Sequence, residues 1–155
     1  MTDLAIQAQP TVERLLSYDE DKLYAELGKR LKAIQLDPSA SGNFDLEVTG
    51  TEVQSLGPYQ DLKEFGVRFF SRFNIQAYEL VCGSDSDNPK DRQKLMEAFG
   101  FGADAVAATL TALLVANLAI APAVAAVCAT LAIKLFFKPG HAAMCDVWQT
   151  KLPKS

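Results

Sequence analysis

From Ala105 to Ile133 the chain carries no Asp, Glu, Lys or Arg. A helix that is apolar on every side has to be buried, either in a protein core or in lipid. Whatever this chain folds into must therefore enclose that stretch or deliver it to a bilayer. Pro122 divides it. A proline at the first position of a helix loses no donor that the helix needs. The pattern predicts two helices, about 103–119 and 122–137, folded back as a hairpin over 103–137 and ended by Lys138-Pro139-Gly140.

Length and composition favour a core over a membrane. Each arm has about 16 residues, or ~24 Å at ~1.5 Å per residue. The hydrocarbon layer is ~30 Å thick and asks for about 20 apolar residues. Alanine dominates both arms, with Thr109, Thr111, Asn117 and Thr130 among them, and alanine gains little from lipid. Ala108, Ala112 and Ala116 recur four apart, a spacing that lets helices approach closely in either medium. The reading is a buried core hairpin, with membrane insertion as the alternative.

The rest of the chain supplies amphipathic helices to cover it. The first ten residues show little pattern and read as a loose N-terminal arm ending at Pro10, with a short helix over Thr11 to Leu16. Ser17-Tyr18-Asp19-Glu20 matches a capping box. Leu23, Leu27, Leu31 and Ile34 then recur at helical spacing, with Lys29, Arg30 and Lys32 facing elsewhere. That helix should stop before Asp37-Pro38, because the residue preceding proline avoids the helical region. Phe44, Leu46 and Val48 alternate with polar residues, and Gly50 allows a turn, so a short β-hairpin is expected near 44–56. Gly57-Pro58 opens a long helix striped by Leu62, Phe65, Phe69, Phe73, Ala77 and Leu80, widened by Phe70, Tyr78 and Val81, and closed by Gly83. Asn88-Pro89 opens another, burying Leu95, Met96 and Phe99. A last helix carries Ala143, Met144, Val147, Trp148 and Leu152.

The fold class is all-α: one helical domain over 1–155, a bundle of about six helices around a central Ala-rich hydrophobic hairpin. A length of 155 residues suits one domain. This plan is similar to the architecture of pore-forming colicin domains over about a quarter of the chain, with no shared motif. The likeness implies a membrane-inserting or pore-forming use of the hairpin as an alternative function.

Charge narrows the partners. The first hundred residues hold 11 basic and 17 acidic residues, and the remainder four and two. The net charge of −4 and a pI near 5.0 have the wrong sign for a dedicated nucleic-acid binder. Cys82, Cys128 and Cys145 are odd in number and widely spaced, so no disulfide framework is expected and a reducing compartment fits. Residues 1–7 lack the basic start and apolar run of a secretory signal. The expected location is cytoplasmic, with membrane association as the alternative.

Candidate chemistry is sparse. Asp85, Asp87, Asn88 and Asp91 resemble the start of a calcium loop, but Pro89, Lys90 and Met96 stand where a ligand, a glycine and a glutamate belong. They read better as carboxylates at a helix start. His141 and Cys145 share a helix face, and with Cys128 they could hold zinc or pair a thiolate with an imidazole. The spacing matches no ligand signature, so they read as structural. Asp19, Glu20, Asp21 and Glu26 suit capping and a solvated face beside Lys22, Lys29 and Arg30. Lys63, Arg68 and Arg72 form a basic stripe interrupted by Asp61 and Glu64. Gly100-Phe101-Gly102 is too short for a dinucleotide loop. Asn117, inside an apolar helix, should cap the arm or bond a backbone carbonyl at the turn before Pro122, with a polar contact that fixes the hairpin register as the alternative. No residue is assigned a catalytic, cofactor or metal role. The expected function is a non-enzymatic interaction or accessory protein with a protein partner or a second copy of itself.

Overall fold

A computed structural model describes residues 3–46, 56–83 and 89–152. Among them are seven α-helices: α1 (Asp3–Leu15), α2 (Glu20–Leu36), α3 (Tyr59–Cys82), α4 (Pro89–Ala98), α5 (Ala103–Leu118), α6 (Pro122–Phe136) and α7 (His141–Thr150). Short 3-10 turns occupy Pro38–Gly42 and Phe99–Phe101. The all-α expectation holds, and the hairpin arms lie within a residue of their predicted bounds.

The charge-free hairpin is the centre of the molecule. Every residue of α6 from Ala123 to Ile133 is buried, as is α5 from Ala105 to Leu114. α1 packs on both arms, α2 and α7 on α6, α4 on α5, and α3 on α2 and α7. One cluster of buried side chains draws on all seven helices. The hydroxyls inside the hairpin are satisfied by their own helices: Thr111 donates to the Ala107 carbonyl and Thr130 to that of Ala126, both at 2.8 Å. Such bonds let polar atoms enter a core without loss. No single helix among the described residues is long and apolar enough to cross a membrane, and α6 and α7, which pass that test only together, meet at a bend of 89°.

Several expectations need correction. The loose N-terminal arm is helical from Asp3, and Pro10 lies inside α1. An interior proline costs about 3 kcal/mol. Burial of Val12 and Leu15 at about 1.5–3 kcal/mol each offsets it, and Pro10 itself is on the exposed side. Ser17 does not cap α2. Its hydroxyl donates to the Arg14 carbonyl at 2.6 Å and closes α1, while Asp19 accepts from the Lys22 amide at 2.7 Å and caps α2. No strand occurs among the described residues: Phe44 and Asp45 form a turn, and Leu56 is helical. Positions 47–55 of the expected β-hairpin lie outside them. Met96 is 52% exposed rather than buried, because α4 turns Leu95 and Ala98 to the core instead. Ala116 and Ala143 are also exposed.

The α2–α3 crossing rests on two glycines that the periodicity did not single out. A Cβ on Gly28 would overlap the Leu62 carbonyl, and one on Gly66 would overlap that of Tyr24. The two backbones touch at both points. This close crossing turns the buried face of α3 to Leu62, Gly66, Phe70, Phe73, Ala77 and Val81, leaving Phe65, Phe69 and Leu80 on its flanks.

Candidate functional site

Cys82 is the last residue of α3, and His141 and Cys145 lie in the first two turns of α7. Packing of α7 on the end of α3 joins Cys82 to Cys145 in a disulfide, with Cα atoms 5.7 Å apart. This corrects the expectation of unpaired thiols. A pair separated by 63 residues has no local signal, and an odd cysteine count does not forbid one bond. The odd residue, Cys128, is buried inside α6, and burial pushes its thiol well above the usual range. The sequence grouped it with His141 and Cys145, but the structure does not bring it to them. The set brought together is Cys82, His141 and Cys145, with one ligand-type atom from each within 4.8 Å of the others.

His141 holds a defined place in this group. Its Nε2 lies 2.7 Å from the Val81 carbonyl, to which it donates, and 3.6 Å from Cys145 Sγ. Phe99 meets the imidazole edge-on at 6.0 Å and stacks on Phe137 at 5.8 Å. In the disulfide form both sulfurs are committed to each other, so any thiolate chemistry here begins with reduction.

The other sequence candidates separate into structural roles. Asp19 caps α2, Asp21 pairs with Lys63 at 3.1 Å, and Glu26 pairs with Lys29 and Arg30. Asp19, Glu20 and Asp21 line one open cleft with Lys134, while Glu26 is turned to Lys29 and Arg30. Arg68 and Arg72 are exposed. Asn117 donates to the Leu113 carbonyl at 3.0 Å, one turn back in its own helix rather than at the turn before Pro122, and also to Asp91 at 3.2 Å, tying α5 to α4. Asp85, Asp87 and Asn88 lie outside the described residues.

Arg30, expected on a solvated face, is fully buried. Nη1 donates to the carbonyls of Phe44 at 2.7 Å and Ala123 at 2.9 Å, and Nε to Glu26 at 3.0 Å. Burial lowers its pKa, and the neighbouring Glu26 carboxylate acts the other way. A buried charge with three such partners is a structural clamp. The helical period of α2 separates it from Lys29 and Lys32: Arg30 follows Leu23 by seven and Leu27 by three, on the apolar stripe, and its charge alone suggested a solvated face.

A second feature was not legible in the sequence. α1, α4 and the start of α5 enclose a groove of about 540 Å³. Ile6 and Ala105 form apolar wall, Lys94, Glu97 and Asp104 add charges of both signs, and Phe101 stands beside it. Phe101 is 81% exposed and Ile6 55%. The 3-10 turn at Phe99–Phe101 sends Phe99 inward and Phe101 out, a division that periodicity alone does not give.

Comparisons with protein-family models, with curated proteins and with solved structures give no match to this chain.

Proposed function

We propose that this chain is a non-enzymatic interaction protein that associates with a second copy of itself through the groove between α1, α4 and α5. The observation that carries the reading is Phe101, a large aromatic ring left 81% exposed beside an apolar groove. An exposed aromatic beside a partly apolar cleft is the composition of an interface centre. The rim is self-complementary, since Lys94 lies with Glu97 and Asp104. Two copies related by a two-fold axis would seat each Phe101 in the other's groove, with Lys94 meeting an acid of the partner. The carboxylates described above act as caps and ion-pair partners, which fits a binding role better than acid–base catalysis.

Sedimentation velocity over a range of concentrations tests this. Wild type should show a concentration-dependent dimer, and Phe101→Asp should remain monomeric while keeping the same helical dichroism and melting temperature. A wild type that is monomeric at all concentrations, or a Phe101→Asp variant that dimerises equally well, overturns the reading.

A second reading, membrane insertion of the 103–137 hairpin, is favoured by the absence of charge from Ala105 to Ile133. It requires α5 and α6 to leave their jacket. Flotation with anionic and neutral vesicles separates the two: the dimer reading places the protein in the aqueous fraction, and insertion carries it up with the lipid.

A further inference from the structure

We propose that Cys82, Cys145 and His141, once the disulfide is reduced, form a binding site for one zinc ion or a similar thiophilic divalent cation. The proposal stands apart from the interface reading, since none of these residues lines the groove.

The geometry is the argument. Zinc bonds to thiolate sulfur at about 2.3 Å and to imidazole nitrogen at about 2.0–2.1 Å, and a tetrahedral angle then places sulfur and nitrogen about 3.6 Å apart. Cys145 Sγ and His141 Nε2 are already 3.6 Å apart. Two thiolates on one zinc lie about 3.8 Å apart by the same construction, so the sulfurs need only separate once their bond is broken. The third ligand atom is within 4.8 Å of the other two. All three residues are half-buried, so solvent can supply the fourth ligand and the ion has a way in. Cys128 is sealed inside α6 and cannot compete.

The chemistry balances in two steps. A dithiol reductant delivers two electrons and two protons to the Cys82–Cys145 bond and leaves as its own disulfide, giving two thiols. Binding of the divalent cation then releases two protons as both thiols become thiolates. The neutral imidazole keeps one proton, which moves through solvent from Nε2 to Nδ1; this ends the bond to the Val81 carbonyl, and the ring then turns so that the freed Nε2 lone pair faces the two sulfurs instead of that oxygen. The two forms exclude each other: with the disulfide closed, neither sulfur is a thiolate. The site thus reports redox state as metal affinity while α3 and α7 stay joined, by sulfur in one form and by metal in the other.

Cobalt(II) is the probe. The full chain is reduced with a phosphine, which leaves no chelating dithiol behind, and titrated without oxygen. We expect a thiolate-to-cobalt charge-transfer band and the visible bands of a tetrahedral ion, saturating at one equivalent and abolished by zinc. The oxidised protein should give none. Cys128→Ser should retain the bands, Cys82→Ser and Cys145→Ser should weaken or lose the charge transfer, and His141→Ala should weaken affinity by roughly tenfold or more. A measurement on unmutated protein guards against variants that fail to fold: zinc should slow alkylation of two cysteines in the reduced chain. Absence of a saturable band, equal binding by His141→Ala, dependence on Cys128, or alkylation unchanged by zinc each overturns the proposal.

Discussion

The guanidinium of Arg30 meets the carbonyl of Ala123 at 2.9 Å, across the boundary between the helical jacket and the apolar hairpin. The same nitrogen holds the Phe44 carbonyl. One side chain of α2 therefore ties together its own helix, the turn after the Pro38–Gly42 segment and the first turn of α6. A charge in this position is stable only because its partners are in place.

Arg30→Ala should accordingly cost about 3–5 kcal/mol, the usual penalty for breaking a buried charged pair from one side. Arg30→Met should cost less, because the methionine fills the space and Glu26, still partly open to solvent, can turn outward. Urea denaturation of the two variants and wild type measures both. An Arg30→Ala midpoint equal to wild type would contradict the clamp.

Gly28→Ala and Gly66→Ala should each destabilise by more than about 2 kcal/mol, in the range of overpacked cores. Helix propensity alone forecasts the opposite, a gain of about 1 kcal/mol from replacing an interior glycine by alanine. The added methyl would meet backbone, not a movable side chain, so packing wins. Thermal melts that rise in either variant would show that α2 and α3 do not cross this closely.

Ala119→Gly should stabilise the hairpin by about 0.5–1 kcal/mol. Ala119 ends α5 in the left-handed conformation, at φ 53°, which costs a residue bearing a Cβ about 1–2 kcal/mol. Glycine avoids that strain and gives back part of the gain through a more flexible unfolded chain. Chemical denaturation with an unchanged m-value is the check, and a lower midpoint would count against the assigned turn.

Ala112→Asp and Ala116→Asp separate the two sides of α5. Ala112 is 5% exposed, and a carboxylate there has no partner, so several kcal/mol and loss of solubility are expected. Ala116 is exposed, and aspartate there should change stability by less than about 0.5 kcal/mol. Equal melting temperatures for the two variants would contradict the placement of α5.

Opening the Cys82–Cys145 bond in metal-free protein should cost about 4 kcal/mol, the loop-closure value for a separation near 63 residues. Denaturation of the chain with and without a phosphine reductant measures it. Cys128, buried and with its ionisation raised, should resist alkylation in the native protein under both conditions.

Local patterns carried much of this fold. The charge-free run and Pro122 located both arms of the hairpin, Asp37-Pro38 ended α2, and Gly57-Pro58 opened α3. These are signals of helical period and backbone geometry, which depend on near neighbours in the chain. They misled where packing outweighed local preference, as at Pro10, and where two residues close in the chain compete for one cap, as at Ser17 and Asp19.

Only the tertiary structure decided which side chains meet. Arg30 lies in period with Leu23 and Leu27, but a charge is kept in the core there only because Ala123 and Phe44 present carbonyls to it. Gly28 and Gly66 become a matched pair only once two helices cross. Cys82, not Cys128, joins His141 and Cys145, since a cysteine's partner is set by where helix ends land and not by spacing. Phe101 is outward and Phe99 inward because one 3-10 turn lies between α4 and α5. The sequence alone determined that an uncharged helical hairpin had to be kept from water, in a core or in lipid. Contacts between residues distant in the chain, which no period encodes, determined what encloses it and which groups converge on its surface.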